Sequence, residues 1–144
     1  MPLFADHLLS WITFLPLAGT PLVLLAARRP AAARAVALAV MLADLALSLV
    51  MLAGFASDGG DQFVERAPWL AGGRISYALA VDGISLFLVL LTTVLGPLVV
   101  LSSWRAVADR VAEFLAFLLL LQTAMLGTFL ALDMFLFYVF WEAM

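Results

Sequence analysis

Long apolar runs separated by short polar turns fill almost the whole chain. Four of them, 8–27, 34–56, 82–103 and 114–132, are long enough to cross a hydrocarbon layer of ~30 Å as helices rising 1.5 Å per residue. A fifth run, 133–144, holds 12 residues. As a helix it reaches only ~18 Å, short of a full crossing, so we expect a piece of a longer protein. The runs are continuous rather than alternating, which argues against a β-barrel and for helices that satisfy their own backbone groups. One stretch, 57–81, breaks the pattern. In it Ile75, Tyr77, Leu79 and Val81 alternate with Ser76, Ala78 and Ala80, and Gly72-Gly73 separates this run from 62–69. A two-residue period around a glycine turn predicts a small β-hairpin. The expected fold class is an all-α membrane protein: a polytopic helical bundle of four full spans and the start of a fifth, capped by that hairpin.

Punctuation within the runs refines this. Pro16 and Pro21 flank Gly19 in the first span, and Gly96-Pro97 interrupts the third. Each proline removes a backbone donor and bends its helix. Thr92 and Thr93 stand where their hydroxyls can re-satisfy the freed groups. Asp82, with Ser85 three residues on, has the form of a helix N-cap, and Asp133 has the same role at the fifth helix. Trp11, Trp69, Tyr77 and Trp104 fall at run ends, as interfacial aromatics do.

Composition supports the membrane reading. Hydrophobic residues make up 67% and charged residues 12% of the chain, against ~25% charged in a soluble domain. The net charge of −3 gives no electrostatic basis for a nucleic-acid partner. Cysteine is absent, so no disulfide or cysteine-ligated cluster is possible. No paired histidines, phosphate loop or Ser/His/Asp set is present, so no metal, cofactor or nucleotide site is expected. No basic n-region or small-residue cleavage site marks a secretory leader at the start. All seven basic residues are arginine. Arg28, Arg29 and Arg34 fall in the first connection, and Arg105 and Arg110 in the third. The positive-inside rule then puts the arginine turns in the cytoplasm, with the N-terminus and hairpin outside. In a bacterial inner membrane the hairpin and N-terminus are periplasmic.

The candidate chemistry lies in the last run. Glu142 follows Asp133 by nine residues, or ~13 Å along a helix, which puts it near the bilayer midplane. A charge there costs ~2.5–3.5 kcal/mol on insertion scales, and such groups face a protein interior or a water path. A carboxyl so placed can take up and release a proton; it can also simply bond a neighbouring helix. Tyr138, one turn earlier, can offer its hydroxyl. Asp44 lies mid-span in the second run, able to join a buried polar path or to bond Ser48. Gln122 is read as an interhelical tie, and His7 as solvated beside Trp11.

Four stretches then carry a resemblance: Trp11 to Gly19, the strand and cap from Ile75 to Leu86, Leu91 to Leu98 around Gly96-Pro97, and Phe129 to Glu142. In these the chain resembles the N-terminal part of the M subunit of respiratory complex I, the proton-pumping NADH:quinone oxidoreductase. Mitochondrial NADH dehydrogenase subunit 4 is the counterpart. The resemblance implies an antiporter-like membrane-arm subunit that couples quinone reduction to proton transfer and has no redox centre of its own. NADH, FMN, iron–sulfur clusters and quinone would be handled by other subunits, with membrane-arm neighbours and the lipid bilayer as partners. It also implies that Glu142 is a proton-transfer residue, paired in the family with a lysine of a later broken helix. This chain has no lysine. Two alternatives stay open: a subunit of a multisubunit cation/proton antiporter or membrane-bound hydrogenase, and a purely structural membrane subunit in which Glu142 is silent.

Overall fold

The structure is a computed structural model that describes residues 7–56, 59–70, 72 and 74–144. Asp58, Gly73 and the stretch read for a leader, 1–6, lie outside the described residues. The elements are α1 (Leu8–Leu25), α2 (Pro30–Gly54), β1 (Gln62–Leu70), β2 (Ile75–Val81), α3 (Gly83–Ala106), α4 (Val111–Leu130) and α5 (Met134–Ala143). The first four helices are long and apolar enough to cross a membrane. The architecture is the helical bundle with a small hairpin that the polarity pattern predicts.

Helix ends differ from the expected spans for local reasons. α2 begins at Pro30 rather than Arg34, because proline's fixed φ suits the first helical position and its missing N–H costs nothing there. α3 runs on to Ala106, and α4 starts at Val111 rather than 114, leaving a turn of four residues. α4 stops at Leu130 because the next residues join the sheet. Leu79 pairs with Ala131, and the Leu132 N–H donates to the Ala78 carbonyl at 2.9 Å. Pro16 and Pro21 both lie within a continuous α1. Thr92 and Thr93 donate to the carbonyls of Leu88 and Val89. Those bonds serve the turn before, not the Thr93 carbonyl that Pro97 frees, since a threonine hydroxyl reaches back one turn.

The strands are antiparallel, with Arg66 opposite Ala78 and Ala67 opposite Tyr77. The pairing is irregular between Gln62 and Glu65, where Phe63 takes a φ of 53°. Such a bulge re-aims the strand. It turns Glu65 inward, and the hairpin becomes a clamp on the helix ends. The Glu65 carboxylate is buried and accepts from the Leu9 N–H at 2.7 Å and the Ser10 N–H at 3.2 Å. It also accepts from the Ser10 hydroxyl, which bonds the Tyr77 hydroxyl at 2.6 Å. Burial raises the pKa of that tyrosine above its ordinary value. His7, read as solvated, is largely exposed and stands 3.8 Å from Glu65. So α1, which has no side-chain cap of its own, is capped by a residue 55 positions away from Ser10. No local pattern around Glu65 in the sequence marks it for this role.

Asp82 and Asp133 do what their sequence positions predict. Asp82 accepts from the Ser85 N–H at 2.7 Å and the Ile84 N–H at 3.0 Å, and the Ser85 hydroxyl accepts from the Asp82 N–H. Asp133 accepts from the Phe135 N–H at 2.9 Å, and also from the Ser76 N–H of β2 at 3.1 Å. These amides hold both carboxyls below the usual carboxylate range, Ser85 contributing most at Asp82 and Ser76 most at Asp133. Glu65→Ala in the full-length protein is expected to lower stability by about 2 kcal/mol, since it removes charge-assisted bonds and leaves orphan helix amides. Glu65→Gln should recover part of the loss. Thermal unfolding in detergent measures both, and an unchanged midpoint for the alanine variant would show that the clamp contributes nothing.

At the other end, the Arg34 guanidinium donates to the Val107 carbonyl at 2.9 Å and lies 5.9 Å from the centre of the Trp104 ring. This arginine ties the first turns of α2 to the turn between α3 and α4, partly through a cation–π contact. Arg110 pairs with Glu113 in the first turn of α4.

Candidate functional site

Two apolar cores fill the bundle, one at each end. Leu9, Ile12, Met51, Val89, Leu126 and Leu130 pack beneath the hairpin. Val23, Ala37, Met41, Val100, Leu115 and Leu119 pack at the arginine end. Between them every long helix turns polar or small on its inner face: Thr13 and Thr20 on α1, Asp44 and Ser48 on α2, Thr92, Thr93 and Gly96 on α3, and Gln122 and Thr123 on α4. All of these are buried.

Asp44 and Gln122 meet in this layer. Asp44 has 0% exposure, and its Oδ2 accepts from the Gln122 amide nitrogen at 2.6 Å. Gln122 therefore is the interhelical tie expected of it. Ser48 bonds the Asp44 backbone carbonyl at 3.0 Å, not the carboxyl. Gly96 makes the space: a Cβ there would overlap the Gln122 side-chain oxygen and come within 3.2 Å of the Met41 sulfur. Gly96-Pro97, expected to interrupt the third span, lies within an unbroken α3, and the glycine is instead the seat of a buried amide. A similar close approach joins α1 to α2, where a Cβ on Gly19 would come within 2.8 Å of Val40.

Glu142 lies elsewhere. Leu136 and Phe140 are the buried residues of α5, and at 100° per residue Glu142 is turned about 200° from Phe140. Its side chain is exposed on the outer surface of the bundle. The inward facing expected of a midplane carboxyl is not what these residues arrange, because apolar Leu136 and Phe140 claim the inner face. The Phe140 ring seats directly on Gly127 of α4, where any Cβ would collide with it. Tyr138 is half-exposed, with edge contacts to Phe137 and Trp141. No hydrogen bond joins it to Glu142 among the described residues. A groove of about 570 Å³ opens beside α5, lined by Phe14, Leu17, Thr123, Val139, Phe140 and Ala143 among others. No group of three or more metal-ligating side chains occurs among the described residues.

The four long apolar helices, with a buried carboxyl and amide between them and a second carboxyl on a fifth, define a polytopic α-helical membrane protein. The profile of NADH-ubiquinone oxidoreductase chain 4, amino terminus, matches residues 66–128. NADH-quinone oxidoreductase subunit M of Rhodobacter capsulatus is 46% identical over 96% of the chain. The chain belongs to this family of subunit M and chain 4 proteins. Chain 4 of Metridium senile is 38% identical over 70% of the chain, and F(420)H(2) dehydrogenase subunit M of Methanosarcina mazei 34% over 70%. The chain spans 28% of the length of the Rhodobacter protein and 22% and 21% of the other two.

Proposed function

We propose that this chain is the front part of a proton-translocating membrane subunit of an NADH:quinone oxidoreductase, with Glu142 as a proton-transfer residue. The observation that carries the reading is the 46% identity to a subunit M along 96% of the chain. The protein acts as a translocase subunit, coupling quinone reduction in other subunits to proton movement through the bilayer, and holds no redox centre itself. NADH, FMN, iron–sulfur clusters and quinone belong to partner subunits of the membrane and peripheral arms. The hairpin and N-terminus face the periplasm of a bacterial inner membrane, since five of the seven arginines gather at the opposite end and only Arg66 and Arg74 lie in the hairpin. The outward face of α5 is where a neighbouring helix packs, bringing a cation or a water path to Glu142. An intramembrane carboxyl is tolerated only with such a partner.

The relative from Methanosarcina is named for a different electron donor, F(420)H(2). That favours a second reading, in which the same membrane subunit serves a complex with another input module. Purification of the full-length protein from native membranes separates the two. We expect an NADH-oxidising arm to co-purify, and NADH-driven quinone reduction by the assembly to acidify one side of reconstituted vesicles. An assembly that oxidises another donor and not NADH would establish the second reading instead.

A further inference from the structure

The polar layer halfway along the bundle has two oxygens that no described residue bonds. Asp44 Oδ1 and Thr123 Oγ1 are both buried and lack a hydrogen-bond partner among the described residues. Neither is near a helix end. Asp44 is 14 residues into a helix of 25, or ~21 Å along its axis. Orphaned buried oxygens are rare, and each costs about 1–3 kcal/mol unless an ordered water reaches it. The free oxygen of Asp44, on the same carboxyl that Gln122 bonds, marks a place for water. Thr123 also lines the groove beside α5, together with Ala143, the residue after Glu142.

We propose that this layer is a hydrated proton-exchange site in which Asp44 carries the proton and Gln122 positions it. The step is a proton moving between Asp44 Oδ1 and a bound water: the acid and water become carboxylate and hydronium, and the reverse step restores them. Gln122 donates to Oδ2, so Oδ1 is the oxygen left to exchange. Gly96 holds Gln122 in place by leaving room for its amide. The charged groups on the helices packed against α2 do not enter the layer. α1 contributes no ionisable side chain, α3 only Arg105, and α4 only Glu113. Glu113 stands nine residues from Gln122, or ~13 Å away along the helix. Arg34 is bonded to Val107 at the arginine end. No neighbouring charge within the bundle therefore substitutes for Asp44.

The proposal rests on the reading of this protein as a proton carrier but names a different group from Glu142. It is tested on the full-length protein, with its native assembly, in phosphatidylcholine liposomes. A pH-difference infrared spectrum should contain a carboxylic C=O band that disappears in Asp44→Asn, shifts in Gln122→Leu and persists in Glu142→Gln. Proton transfer should fall about 100-fold or more in Asp44→Asn and largely recover in Asp44→Glu. Should the asparagine variant fail to assemble, Asp44→Glu keeps an ionisable group and must displace the same band. A spectrum indifferent to every Asp44 substitution overturns the proposal. Full pumping by Glu142→Gln, with the Asp44 band intact, would remove the role of Glu142 and leave that of Asp44 standing.

Discussion

Glu142→Gln in the full-length protein is expected to lower proton translocation by about 100-fold or more, the loss that follows removal of a proton-transferring side chain. Quinone reduction coupled to it should fall as well, and assembly should stay close to normal. Glutamine has nearly the same size and still forms hydrogen bonds, but it cannot gain or lose a proton over the working pH range. Phe140 and Leu136, not Glu142, dock α5 onto the rest of the bundle. The substitution therefore leaves the packing of these residues untouched. Vesicle acidification measured beside the yield of intact assembly separates the two effects. Wild-type pumping by the glutamine variant would end the assignment of Glu142.

A second large effect is expected at Gly127, through a different cause. Gly127→Ala drives a methyl group into the Cγ edge of the Phe140 ring, far inside van der Waals contact. Overpacking of this kind costs about 1–3 kcal/mol where the neighbours can shift. Here α5 must slide or rotate, because the ring sits flush on the α4 backbone. We expect α5 to undock, the unfolding midpoint in detergent to drop, and translocation to fall together with assembly. A smaller side chain opposite should compensate: Gly127→Ala with Phe140→Leu ought to recover much of the stability. Equal midpoints for the wild type and the single alanine variant would mean that the ring does not hold α5. The contrast with Glu142 is the useful one. One substitution removes chemistry and spares assembly, and the other reaches the chemistry only by moving the helix that bears it.

Much of this could be read along the chain. Continuous apolar runs require helices in a bilayer, alternation between Ile75 and Val81 requires a strand, and Asp82 and Asp133 stand where orphan amides need an acceptor. These are local rules, satisfied within a few residues. Glu65 escaped them because its three donors lie on α1, more than 50 positions away. Nothing in the spacing of a polar loop says which acid will turn inward at a bulge.

The sequence by itself determined the class of protein, the number of long spans, the hairpin and two of the caps, since hydrophobicity and backbone satisfaction act at short range. Only the tertiary structure decided which polar groups share a place. It joined Asp44 to Gln122 across 78 positions and stacked a polar layer between two apolar cores. It also turned Glu142 outward by giving the inner face of α5 to Phe140. The physical reason is that side-chain facing is fixed by which neighbour packs against a helix. Gly96 and Gly127 decide that here by leaving room for one particular side chain each, and close fit across a bundle leaves no trace in the order of residues along one strand of chain.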